Sequence, residues 1–208
     1  YTMENYKLNE TPNTYTKMES VEVKTSFPTF ESASEQYKHQ VIMALCDLSS
    51  DNIARKYAED RKIPEKFYQH LYYVNDFKGY VALFNEERAK DLPENDERLL
   101  IPFNDLDGNL IGFQGRTLTN SKIRYITIRL AEDQPMFFGM NLVDKNSKVY
   151  VVEGPIDSMF LDNAIAVASS NLTAAGRFLD KTNMVLVFDN EPRNKDICKL
   201  IDKAIDDH

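Results

Sequence analysis

The chain has 208 residues, 42% of them hydrophobic, with 12 Phe and 11 Tyr, which suffices for a buried core and excludes wholesale disorder. Lys and Arg number 25 against 33 Asp and Glu, a formal charge of −8, so bulk charge does not hold this protein to nucleic acid, although local distribution can. No apolar run reaches the roughly 18 residues of a membrane span, and no secretory leader is present, so a cytoplasmic protein without a membrane is expected.

Cys46 and Cys198 form no CxxC pair, and His39, His70 and His208 are scattered. That excludes a zinc ribbon within the chain and offers no disulfide framework. Both cysteines fall at helix-core spacing and are expected to be small buried apolar groups. The chain opens on Tyr1 rather than Met, as an excised piece of a longer protein would.

Residues 1–30 are polar and read as a lead-in or linker, with a short strand at Ser20–Lys24. Residues 31–145 form a first unit whose beginning is helical. Ser32 or Ser34 caps a predicted helix through Leu48, with Tyr37, Val41, Ala44, Leu45 and Leu48 on one face. A second helix is predicted from Asp51 to Lys62, and Pro64 opens a short third. Leu71–Val74 reads as a strand, and Phe77–Lys90 as one helix stopped by Pro93.

From Leu99 the period changes. Leu99–Phe103 and Leu110–Leu118 read as a hairpin turning at Asp107-Gly108, followed by an alternating third antiparallel strand, Arg124–Leu130. Residues 146–208 then alternate strand and helix. The predicted strands are Val149–Gly154, Ala164–Ser170 and Met184–Asn190, with helices opening at Pro155, over residues 171–179, and after Glu191. The fold class is therefore α+β followed by α/β: a helical and antiparallel-sheet subdomain packed on a Rossmann-like parallel βαβαβα subdomain. Parallel sheets carry functional residues at the carboxyl ends of their strands.

Acids stand at those ends. Glu153 closes the first parallel strand, Asp157 lies one turn into the following helix, and Asp189 and Glu191 close the third. Each alone has an ordinary reading, as a capping, turn or helix-start acid. Brought together they repel, which raises their pKa values or calls for a cation. Carboxylate oxygens without His or Cys suit Mg²⁺ or Mn²⁺ rather than zinc.

VVEGPIDSMFL followed by VLVFDNEPRNK resembles the TOPRIM domain shared by primases, topoisomerases and some nucleases. Upstream, Ile101-Pro102, Ile111-Gly112-Phe113, Gly115-Arg116, Arg124-Tyr125 and Phe138-Gly139 occur in the order found in bacterial-type DNA primase cores. The resemblance covers roughly residues 99–199, and the Asp-Asn-Glu-Pro-Arg-Asn stretch is most similar to primases of tailed phages. It implies an RNA-polymerase core that makes short primers from NTPs on single-stranded DNA, in the host cytoplasm if viral, with a replicative helicase as partner.

It also implies metal bound by Glu153, Asp189 and Glu191, with Asp157 holding a water of that metal. Asp189-Asn190-Glu191 has Glu where the family more often has a second Asp. The family's amino-terminal zinc module is missing from these residues. The parallel unit is expected to be truncated, since the family continues past the last helix with another strand. A TOPRIM nuclease and a non-catalytic TOPRIM binding module are the competing readings.

Residues 114–130 carry Arg116, Lys122, Arg124 and Arg129 with no acid. The resemblance turns Arg116, Arg124 and Tyr125 toward nucleotide or template; taken alone, arginines alternating on a half-exposed strand are ordinary solubility chemistry. Lys122 and Arg129 keep that ordinary role. Arg193 and Lys195 either meet a triphosphate or offset the acids. Arg55, Lys56, Arg61, Lys62 and Lys66 interleave with Glu59, Asp60 and Glu65 and read as a solvated helix face.

Overall fold

The computed structural model describes residues 42–132, 134–169, 171–191 and 193–207. The strand expected at Ser20–Lys24, the start of the first predicted helix, His39 and His208 lie outside them.

Five antiparallel strands form one sheet in sequence order: β1 (Ile42–Ala44), β2 (Tyr72–Val74), β3 (Arg98–Asn104), β4 (Leu110–Thr117) and β5 (Tyr125–Arg129). β1 replaces the end of the helix predicted through Leu48. Ile42 pairs with Val74 across β2, and the Leu45 amide donates to the Leu71 carbonyl at 2.9 Å. Cross-strand pairing and the complete burial of Leu45 outweigh the helical spacing of that stretch. Cys46, expected inside a helix, is exposed, and Cys198 is half-buried, so neither is a core residue.

α1 (Ile53–Asp60) is capped by Asn52, one residue past Asp51: the Asn52 side chain accepts from the Ala54 amide at 2.8 Å. Its Ala54 and Ala58 are fully buried. Past α1, Pro64 precedes a 3₁₀ segment, Glu65–His70, where a third helix is predicted. The helix predicted over Phe77–Lys90 is two: α2 (Phe77–Ala82), capped by Asp76, and α3 (Glu86–Lys90), capped by Asn85. Asn85 accepts from the Arg88 amide, the bond by which Asn prefers a cap to a helix interior.

β3 is buried on both faces, which its unbroken run Leu99–Phe103 anticipates. One face, through Leu100 beside Phe113 of β4, packs with Phe77 and Tyr80 of α2. Pro102 is tolerated in this central strand because β2 pairs only as far as Leu100. At Gly115 a Cβ would lie 2.4 Å from the Phe77 ring, so only glycine lets α2 approach β4.

Three parallel strands form the second sheet: β6 (Val149–Val152) in the middle, β7 (Ala164–Ala166) on one side and β8 (Met184–Leu186) on the other. α4 (Pro155–Ser158) follows β6 and is a single turn, with Pro155 at its start. The helix predicted over residues 171–179 is a 3₁₀ segment, Leu172–Arg177. α5 (Lys195–Asp207) closes the described chain.

The two sheets share a core. Leu99, Ile101 and Phe103 of β3 pack with Ala54 and Ala58 of α1, with Met136 and Phe138 of the connection, and with Val152, Ile156, Met159 and Ala166 of the parallel unit. Phe138 also bridges to Ala166 at the edge of β7. No helix among the described residues is long and apolar enough to cross a membrane.

Candidate active site

Glu153 leaves the end of β6, the central and most buried parallel strand. Its main-chain carbonyl accepts from the Ala168 amide at 3.0 Å, which fixes the backbone while the side chain stays half-buried. The buried Oε1 has no hydrogen-bond partner. Burial raises the carboxyl pKa first, and the charges of Asp189 and Glu191 raise it further. Acids nearly forty residues apart in the chain therefore act on one another, because β8 lies beside β6 in parallel.

Asp157 stands in the first turn of α4 and is exposed. Its carboxyl is also raised, by desolvation and then by Asp189, with Arg61 opposing. Gly154, between the two acids, has no room for a side chain, since a Cβ there would lie 2.2 Å from Asp157 Oδ2. Glu191 is held from below: Asn194 donates from Nδ2 to Glu191 Oε2 at 2.8 Å, and its Oδ1 accepts from the Asp196 amide at the start of α5. Arg193 and Lys195 flank this turn and are exposed.

Among the described residues, no three His, Cys, Asp or Glu stand close enough to form a ready-made ligand set. The donors present still fit a hard cation. Mg²⁺ keeps several waters and takes one or two carboxylates beside substrate phosphates, and Glu153 Oε1 is a buried acceptor with nothing to accept from.

Beside the acids lies a cationic and aromatic face. Arg116 on β4 pairs in register with Tyr125 on β5. Its guanidinium lies 4.8 Å from the Tyr125 ring centroid and 5.8 Å from that of Tyr57 on α1, with Nε buried and unpartnered. Burial raises the Tyr125 hydroxyl; Arg116 and Arg61 pull it down, and Tyr57 and Asp157 push it up. Arg124 is exposed at the head of β5, next to Tyr125. Arg129 and Lys122 are exposed too, and Arg129 donates to the Gln134 carbonyl.

Three residues of this neighbourhood escape the sequence reading. Arg61 belongs by composition to a solvated helix face, and Lys56 and Lys66 behave so, pairing with Asp51 and Asp162 at the surface; Arg55 is half-buried, pairs with Glu59 and lies 4.5 Å from the Tyr68 ring centroid. Arg61 instead lies 6.0 Å over the Tyr57 ring and acts on Asp157. The four-residue spacing of Tyr57 and Arg61 is the trace it leaves in sequence. Tyr57 carries no signal of its own within the helix predicted over Asp51–Lys62, and Asn194 falls inside the helix predicted after Glu191, where it instead lies before α5.

This pair of sheets has the fold of bacterial primase catalytic cores. The Escherichia coli primase catalytic core superposes with a TM-score of 0.54 at 17% identity, over 75% of this chain and 61% of that one. The Aquifex aeolicus primase structure, comprising zinc-binding and RNA polymerase domains, gives 0.53 at 21% identity, over 75% and 46%. A DnaG primase catalytic domain bound to single-stranded DNA gives 0.54 at 16% identity, over 74% and 59%.

Sequence similarity points to the same group: the chain is 34% identical to the DNA primase of Enterobacteria phage T4 over 162 residues, 76% of this chain and 46% of that protein. It is 32% identical to the DNA primase of Synechococcus elongatus over 110 residues, 45% of this chain and 16% of that protein. It thus spans less than half the length of these curated relatives. No family model matches.

Proposed function

We propose that this chain is the catalytic core of a DNA primase, joining ribonucleoside triphosphates on a single-stranded DNA template into short RNA primers. The observation that carries this is the parallel pairing of β6 and β8, which brings Glu153, with its buried and unpartnered Oε1, to the same sheet end as Asp189 and Glu191, beside the Tyr57–Arg116–Tyr125 face, in a chain similar in sequence to DNA primases. The parallel unit is read as TOPRIM. A replicative helicase as partner rests on the same family likeness.

Glu153, Asp189 and Glu191 would hold Mg²⁺ or Mn²⁺ through oxygen. Held there, such an ion would supply the positive charge that favours ionisation of an attacking 3′-hydroxyl and offsets charge on a departing pyrophosphate. The side chains do the positioning. Asn194 fixes Glu191, and Arg61 offsets the charge of Asp157, so the acids keep their places before substrate arrives. Arg116 grips phosphate with a guanidinium already held near two rings, while Tyr125 and Arg124 meet a base or the template backbone. Arg193 and Lys195 meet the triphosphate. No side chain serves as a nucleophile.

The test is incorporation of labelled NTP on a single-stranded template with Mg²⁺ or Mn²⁺. Asp189→Asn abolishes product while thermal unfolding stays cooperative. Full activity in that variant removes the acids from the reaction. Cleavage of DNA without NTP makes the chain a nuclease, and a gel shift with neither reaction makes it a binding module.

A further inference from the structure

Arg98 opens β3 and is 0% exposed, the largest fully buried side chain among the described residues. Nothing in the candidate site uses it, yet its guanidinium makes four hydrogen bonds and an ion pair. Nε donates to Asp96 Oδ2 at 2.7 Å, and Nη2 approaches the same oxygen at 2.6 Å. Nη1 donates to the Gly115 carbonyl at 2.7 Å and to the Arg124 carbonyl at 3.4 Å, and Nη2 donates to the Ile123 carbonyl at 3.0 Å. The guanidinium lies 5.2 Å from the Phe77 ring centroid.

Asp96, 3% exposed, carries the network outward. Its carbonyl accepts from the Phe77 amide at the start of α2, and its Oδ1 accepts from Thr117 Oγ1 at 3.4 Å. Thr117 in turn accepts from the Thr119 amide and donates its own amide to the Arg124 carbonyl at 3.0 Å. One buried ion pair thus ties the start of β3, the start of α2, the end of β4 and the connection from β4 to β5.

A buried ion pair seldom stabilises a fold more than apolar side chains of the same volume would. What only arginine supplies is a planar fork long enough to reach two successive carbonyls of one connection. Those carbonyls belong to Ile123 and Arg124, and the next residue is Tyr125, whose ring lies against Arg116. The side chains of Ile123, Arg124 and Tyr125 are exposed, so Arg98 holds their backbone from the buried side. Gly115 keeps the space open, since a Cβ there would lie 2.8 Å from Arg98 Cδ.

We infer that Arg98 is a positioning residue: it holds the β4–β5 connection in the one backbone path that presents Arg124 and Tyr125 to single-stranded nucleic acid. The inference rests on the primase reading for the ligand, and on the hydrogen bonds alone for the positioning. Without the fork, the connection orders only when it binds, and affinity falls by the cost of that ordering.

The experiment compares wild type with Arg98→Lys, which keeps a cation for Asp96 but loses the fork. Readouts are thermal unfolding, amide hydrogen exchange resolved over residues 118–125, and fluorescence anisotropy with a labelled single-stranded DNA oligonucleotide. Arg98→Lys unfolds cooperatively, exchanges faster in 118–125 than wild type with β6 and β8 unchanged, and binds the oligonucleotide about tenfold more weakly. Adding Arg124→Ala to Arg98→Lys costs little more than Arg124→Ala alone, because both remove the same presented group.

If Arg98→Lys does not fold, the paired variant Asp96→Asn with Arg98→Gln removes both charges together and is read in the same way. Unchanged exchange over 118–125, or losses that simply add, overturns the inference and leaves the primase reading standing. A wild-type chain that binds no oligonucleotide and makes no primer overturns the primase reading and the presenting role with it, while the exchange data still decide whether Arg98 anchors the connection.

Discussion

Asp157 occupies the space that any side chain at position 154 would need: a Cβ on Gly154 would come within 2.2 Å of Asp157 Oδ2. The backbone there has φ −92°, which alanine adopts freely, so the glycine is required by its neighbour and not by its conformation.

Gly154→Ala therefore displaces the Asp157 carboxylate without straining the chain. Primer synthesis is expected to fall at least about tenfold while the unfolding temperature moves only a few degrees. Activity assays beside calorimetry check this, and a variant with full activity means Asp157 has no part in the reaction.

Glu153 weakens the fold it serves. Burial, Asp189 and Glu191 raise its carboxyl above the unfolded value, so the native state binds that proton more tightly than the unfolded chain does. Its contribution is present at low pH and is lost as pH rises through the raised value. Glu153→Gln should then be more stable than wild type at neutral pH without divalent cations, by up to about 1 kcal/mol. Mg²⁺ should raise the unfolding temperature of wild type and leave the variant nearly unmoved. A variant stabilised by Mg²⁺ as much as wild type would show that Glu153 is not a ligand.

Arg61 holds down an acid that burial and Asp189 push up. With Arg61→Ala, Asp157 keeps its proton to higher pH, and the acid limb of the pH–rate profile shifts upward. The profile of Lys56→Ala, taken from the exposed side of α1, stays where wild type has it. Coincident profiles for Arg61→Ala and wild type would separate Arg61 from Asp157.

Arg116→Lys keeps the charge but loses the planar guanidinium that lies near the Tyr57 and Tyr125 rings. Affinity for the triphosphate is expected to fall about tenfold, with a smaller change in folding stability. Steady-state kinetics that show KM unchanged would place Arg116 outside the nucleotide's reach.

The antiparallel hairpin, the third strand and the succession of parallel strands were legible, because alternation and buried apolar runs survive folding nearly unaltered. Short elements were not. Ile42–Ala44 reads as the tail of a helix until β2 is there to pair with it, and residues 171–179 keep a helical pattern although the close packing of Leu172 and Ala175 leaves them 3₁₀. The acids could be named from strand ends. Tyr57, Arg61 and Asn194 could not, because their importance comes from which element α1 and α5 lie against. Cys46 shows the same limit from the other side: its spacing suits a core that the strand carries elsewhere.

Leu99, Ile101 and Phe103 bury themselves against Val152, Ile156 and Met159, so the seam between the two sheets is as dry as the interior of either. Rotating one half against the other would expose that seam to water, which makes a hinge here costly. The two halves should melt in one calorimetric transition, and whatever opens and closes during a catalytic cycle must be side chains and rim segments above a fixed floor. On the proposed primase reading, such a core would change register by moving its nucleic acid, not its own halves.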